Sequence, residues 1–242
     1  MTRGQPQPDS RGQAASLEGG EKRTSLVDDA YAAMRAAIRD ASFAPGYQAS
    51  EQEIALRLGM SRTPVHEAAI RLQEDGLVRV LPRKGILVLA LAPDDMREIY
   101  DVVIAIEGRA AELVAALPES ARLDAARALD AQTDAMADAH AHGDLRAWGE
   151  ADAAFHAALI EHARNGRMSR IVQAINDQSH RARMLTLNFR RTLDASVAEH
   201  RQIACAIRSG EAVEALEAAR RHRIRARDEL LPLLERYGLK HL

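Results

Sequence analysis

The sequence predicts a mainly α chain in two parts: a winged helix-turn-helix over residues 26–91, then an all-α helical bundle over 93–238, behind a polar leader at 1–25. Three observations carry this reading. Residues 51–72 read as short helix, tight turn, helix. Two short β-prone runs, 77–81 and 86–89, follow at once, joined by the basic tip Pro82-Arg83-Lys84-Gly85. Past Pro93 no stretch alternates with period two, and apolar residues recur every three or four positions almost to the end of the chain.

A chain of 242 residues suits one large or two modest domains, and 47% hydrophobic content is enough for real cores. The single Cys excludes a disulfide framework within the chain. Cys205 lies inside a helical pattern and is expected to be a small buried apolar filler. No apolar run approaches a membrane span, and Met1 to Ser25 is polar and rich in Gly, Gln and Pro, without a signal-peptide core. The expectation is a soluble cytoplasmic protein, not tied to a membrane, with a disordered leader. The formal net charge of −2 announces no global basic field. Residues 54–85, however, carry six basic side chains against three acidic ones, a local excess suited to contacting phosphates.

In order, Tyr31 to Ile38 is an amphipathic segment closed by the turn Ala44-Pro45-Gly46. Glu51 to Leu58 is a short helix ended by Gly59. The next helix has Ser61 as N-cap and Pro64 in its first turn, where the missing N–H costs little. Val65, Ala68, Ala69 and Leu72 form its buried stripe, while Arg62 and His66, four apart, share another face. Gly76 ends this helix, and the two β-prone runs form a basic-tipped hairpin, a wing.

The run Gly59-Met-Ser61-Arg62-Thr63-Pro64-Val65-His66-Glu67-Ala68, with Pro45-Gly46 and a Glu-rich short helix before it and a Gly-tipped wing after it, resembles the GntR family of bacterial transcription regulators. The resemblance implies a homodimer whose two heads bind the half-sites of a palindromic double-stranded DNA operator. It places Gln52, Ser61, Arg62, Thr63 and His66 near base edges or phosphates, with Arg83, Lys84 and Gly85 at the wing. Two positions depart from the family pattern: His66 and Gln52 stand where Arg is usual. Arg makes a bidentate contact with guanine and His a single bond, so a different base preference is expected.

Beyond the wing, Leu91-Ala92-Pro93-Asp94-Asp95 reads as a helix start. Met96, Ile99, Tyr100, Val103, Ile106, Ala110, Leu113 and Val114 then hold one apolar stripe. Ala-rich helical segments follow at about 119–141, 145–164, 167–190, 193–208 and 212–238, punctuated by Pro118, Gly143, Asn165-Gly166 and Ser209-Gly210. Asp152 and His156, four apart, project a carboxylate and an imidazole from one helix face. His200 and His222 are equidistant from the joint at Gly210-Glu211, so a tight antiparallel turn there brings both to the same level. One carboxylate and three histidines suit a divalent ion, Zn, Ni or Mn, with positions left open for water or ligand. A buried polar network that reads an organic ligand directly is the alternative. His140, His142, His162, His180 and His241 have no ligand spacing and read as surface or hydrogen-bonded residues.

Asp152-Ala-Ala-Phe155-His156, Asn165, His200-x-x-Ile203-x-x-Ala206-Ile207 and His222 resemble the FCD ligand-binding domain of the FadR-type GntR subfamily over about 93–235. Many members of that subfamily are similar in binding a divalent metal through such a set. The resemblance also implies a small-molecule effector, an organic acid, often held by an Arg on the first bundle helix. Here that position is Val103. The effector would then lean on the metal, with Arg181 and Arg183 as substitutes, or the cavity is less polar. Val103 equally fits as a plain extension of the Ile99 and Ile106 core stripe. The function expected is a ligand-responsive transcriptional regulator, most often a repressor in this family, and not an enzyme. Rival readings are a metal-dependent all-α enzyme, which lacks an obvious general base beside the ligands, and a metal-ion sensor.

Overall fold

A computed structural model describes Met1 and residues 25–40, 42–90, 92–189 and 193–236, without the side chains at 174, 181–185 and 188. The leader expected over 1–25 falls almost wholly outside the described residues. Its last member, Ser25, is the N-cap of helix α1 (Leu26–Arg39), where it forms a reciprocal capping box with Asp28. The helix therefore starts five residues before the amphipathic segment read from the sequence.

Helices α2 (Glu51–Leu58) and α3 (Arg62–Glu74) form the helix-turn-helix. Gly59, left-handed at φ 67°, closes α2, a conformation glycine adopts without a Cβ penalty. Ser61 occupies the N-cap of α3, but its side chain makes no capping hydrogen bond. Val65, Ala68, Ala69 and Leu72 are buried against Ala30, Met34, Ile38 and the wing, as the stripe predicts. Strands β2 (Val78–Leu81) and β3 (Gly85–Val88) pair antiparallel, Val80 opposite Ile86. A two-residue strand β1 (Gln48–Ala49), which the sequence did not signal, adds to the free edge of β3 in the order β1-β3-β2. That pairing makes Gly85 obligatory: a Cβ there would lie 2.1 Å from the Ala49 carbonyl oxygen.

The regular elements among the remaining described residues are all helical: α4 (Pro93–Ala115), α5 (Glu119–Ala141), α6 (Leu145–His162), α7 (Gly166–Thr186) with a 3-10 turn at Leu187–Phe189, α8 (Leu193–Ser209) and α9 (Ala212–Arg236). The main core packs Ala110, Val114, Leu129, Phe155, Leu159, Ile203 and Ile207 together. Small alanines at the contacts let these helices approach closely. Cys205 is exposed, contrary to expectation. Ile203, Ala204, Ala206 and Ile207 take the inward positions of α8, which leaves residue 205 pointing out. Among the described residues no helix is long and apolar enough to cross a membrane.

Candidate metal centre and DNA-binding face

Asp152 and His156 on α6, His200 on α8 and His222 on α9 converge. Each is buried, and each offers a donor atom within 4.8 Å of the others. All three imidazoles turn Nε2 inward: His200 Nε2 is 3.2 Å from His222 Nε2, while His156 Nε2 and His200 Nε2 lie 3.6 and 3.9 Å from Asp152 Oδ1. Two nitrogens each about 2.1 Å from one ion are separated by about 3.0–3.4 Å at octahedral to tetrahedral angles, so this spacing fits a common ion. His156 Nε2 has no hydrogen-bond partner among the described residues, although it is buried. The Phe155 ring stacks on His200 at 3.8 Å between centroids and closes one side.

Of the outward nitrogens, that of His222 is hydrogen-bonded, whereas that of His156 lies close to a carboxylate without hydrogen-bond geometry. His156 Nδ1 sits 3.0 Å from Glu107 Oε2, and His222 Nδ1 sits 2.7 Å from Glu199 Oε2. His200 Nδ1 faces the Met136 sulfur at 3.1 Å, a weak acceptor. A carboxylate behind an imidazole fixes its tautomer and leaves Nε2 with a free lone pair, the usual arrangement around ligating histidines. Glu107 is itself buried and doubly bonded by Arg223, at 2.6 and 2.5 Å. Burial alone would raise the Glu107 carboxyl; the charge of Arg223 and then of His156 overrides it and holds the group far below the usual carboxylate range. Arg225 donates to Glu199 Oε1 at 2.5 Å and to Ser196 Oγ at 2.8 Å. Burial, then the neighbouring imidazoles and Arg223, push His200 and His222 well below the ordinary histidine value, so both are neutral and able to donate lone pairs.

Sequence reasoning found the four converging residues but missed Glu107, Arg223 and Glu199. A signal for Glu107 existed: it stands one turn after Val103 on the buried stripe of α4, where a charge needs a partner. Val103 is buried in a core with Met96, Ile99, Tyr100 and Leu230. Arg181 and Arg183 lie on α7, and their side chains are outside the described residues.

On the face expected to meet DNA, Gln52, Ser61, Arg62, Thr63 and His66 are all exposed, along α2 and the first turns of α3. Arg83 and Lys84 are exposed at the wing tip, with Arg83 left-handed at φ 63°. Gln48 Nε2 donates to the Lys84 carbonyl at 2.9 Å and ties that tip to β1.

The two halves of the chain meet through α7. The buried Asp177 takes a two-pronged ion pair from Arg35 of α1. The adjacent Gln178 donates its Nε2 to the carbonyls of Asp75 and Gly76, at 3.0 and 3.1 Å, where α3 ends. Tyr31 donates to Asp75 Oδ2 at 2.6 Å. Burial first, then this bond, push the Tyr31 hydroxyl up to about 12.

A winged helix-turn-helix joined to a helical domain defines a class of two-part DNA-binding proteins. Residues 26–88 match the gntR family of bacterial regulatory proteins, and residues 98–225 match the FCD domain. The chain is 49% identical over 157 residues, 61% of its length and 92% of the relative's, to an HTH-type transcriptional regulator from the TAR-I ttuE-ttuC' intergenic region of Agrobacterium vitis. It is 32% identical over 194 residues, 80% of each chain, to an HTH-type transcriptional regulator in an unstable DNA locus of Streptomyces ambofaciens. In fold it is similar to the crystal structure of a GntR transcriptional regulator from Rhodococcus sp. RHA1, with TM-score 0.71 and 23% identity over 86% of this chain and 99% of that one. The chain belongs to the GntR family with an FCD domain: it is a DNA-binding transcriptional regulator, not an enzyme.

Proposed function

We propose that this regulator is a repressor, acting in the cytoplasm as a homodimer on a palindromic operator, and that a small organic acid bound beside a divalent metal controls its hold on DNA. Asp152, His156, His200 and His222 would hold the ion, Zn, Ni or Mn. The observation that carries the reading is the convergence of three inward Nε2 atoms and a carboxylate in a buried site. When bound, the ion supplies Lewis-acid attraction for a carboxylate oxygen. The charge count favours an anion. An ion held through imidazole lone pairs requires the ligating rings to be neutral, so Asp152, Glu107 and Arg223 would together leave a centre loaded with a divalent ion with a net positive charge. With Val103 apolar in its core, the ion is then the main attraction for an acid.

Coupling to DNA needs only that the effector favour one of two arrangements of the heads. Helix α6, which carries Asp152 and His156, packs on α7. Through Asp177 and Gln178, α7 grips α1 and the end of the recognition helix. A shift of α7 is thereby transmitted to the DNA-binding head. The test is fluorescence anisotropy on a labelled duplex, titrating zinc with and without a panel of small mono- and dicarboxylates. The proposal expects an acid to change DNA affinity only in metal-loaded protein. A response to zinc alone would make the ion the signal, and no response to either would refute control from this centre.

A further inference from the structure

The carboxylate of Glu51, on the first turn of α2, reaches the recognition helix twice. Its Oε1 is 2.6 Å from His66 Nδ1, and its Oε2 is 3.3 Å from Arg62 Nη2. The Glu51 side chain is 19% exposed, whereas those of Arg62 and His66 are 66% and 49% exposed. The acid therefore stands behind two side chains that stay open in front, where DNA would lie. The bond from His66 chiefly, opposed by partial burial and aided by Arg62, keeps Glu51 below the usual carboxylate range, and the α2 N-terminus also favours the anion.

An ionised carboxylate can only accept hydrogen bonds. His66 Nδ1 must therefore carry the proton in the 2.6 Å contact, and in the neutral ring Nε2 is then an acceptor. An acceptor facing the major groove meets the amino groups of cytosine N4 or adenine N6. Guanine N7 and O6 and thymine O4 offer it only further acceptors. The remaining guanidinium nitrogens of Arg62 keep their match to guanine. Residues four apart on a helix are about 5–6 Å apart, and bases rise by about 3.4 Å, so the two contacts fall about two base pairs apart.

We propose that Glu51 determines the base specificity of the head: by fixing His66 with its proton on Nδ1 and bracing Arg62, it selects a half-site with cytosine or adenine opposite His66 and a guanine about two base pairs away. This inference rests on α3 being the recognition helix. Glu51 takes no part in the capping box of α2, which is formed by Ser50 and Glu53, so it is free to be replaced without loss of the helix start.

The test is in vitro selection from a randomised duplex library at pH 8, above the ordinary imidazole range, using full-length wild type, Glu51→Gln, His66→Gln and the double variant. Gln keeps the shape but can turn its NH2 toward Nδ1, which frees the tautomer and lets Nε2 donate. The position facing His66 is the one whose preference His66→Gln alters. Wild type is expected to disfavour guanine and thymine there by on the order of tenfold, and Glu51→Gln to admit them. In the His66→Gln background, Glu51→Gln should change nothing at that position. Identical wild-type and Glu51→Gln motifs would overturn the proposal alone, as would a wild-type guanine opposite His66, a result that stands even if Glu51→Gln fails to fold. A wild-type protein that enriches no motif would overturn the recognition-helix assignment and the proposal with it.

Discussion

Replacing Arg223 with Met should destabilise the helical domain more than any surface change, because it strands a buried carboxylate. The two side chains are 4% and 2% exposed and share two hydrogen bonds. Removing one partner of a buried, hydrogen-bonded ion pair costs about 3–5 kcal/mol. For a chain of this size each kcal/mol moves the thermal midpoint by roughly 2–4 °C, so Arg223→Met should melt on the order of ten degrees below wild type. Glu107→Gln combined with Arg223→Met removes the stranded charge and should recover more than half of that loss. Calorimetry on chelator-treated protein separates the effect from metal ligation at His156, which Glu107 also touches. A loss below about 1 kcal/mol for the single variant, the level of a solvated pair, would refute the buried-pair argument. So would a double variant as unstable as the single changes added together.

Other outcomes follow from the same contacts. Arg62→Ala should weaken binding to a selected operator by about 1–3 kcal/mol with the circular dichroism spectrum unchanged, and an unchanged gel-shift affinity would place α3 outside the groove. Asp177→Asn keeps the shape of the α7 contact but removes its charge. It should shrink the effect of a bound acid on DNA affinity while leaving acid binding, measured by calorimetry, intact; loss of acid binding itself would mean that Asp177 acts at the effector site. Tyr31 has a folded-state value raised above its unfolded value near 10, so its bond to Asp75 contributes stability fully present below pH 10 and lost as pH rises through about 12. The difference in tyrosinate absorbance between wild type and Tyr31→Phe should therefore titrate near 12, and a component near 10 would show that the hydroxyl is not held.

What was legible in the sequence was local. Gly59 and Gly143, both left-handed, and Pro118 punctuate the chain, which is why α2 and α5 begin and end where their patterns do. The four converging residues were legible because one pair is a helical i, i+4 spacing and the other is symmetric about a tight turn. Illegible were contacts between residues far apart in the chain that no periodicity records: Glu107 with Arg223, Arg35 with Asp177, Gln178 with the end of α3. Strand β1 escaped because two residues carry no alternation, and it exists only because β3 offers an edge. Cys205 was misplaced by reading a helical segment as uniformly inward when only one stripe of it is.

The central claim, that Asp152, His156, His200 and His222 hold a metal tying three helices together, is tested most directly by the thermal midpoint with and without chelator. Ligand at about a thousand times its dissociation constant stabilises the native state by about 4 kcal/mol, so zinc-loaded wild type should melt on the order of ten degrees above chelated protein. His156→Ala and His222→Ala should each abolish most of that difference. Wild type that melts at one temperature throughout, whether metal-free, chelated or resupplied with zinc, nickel or manganese, would contradict the claim.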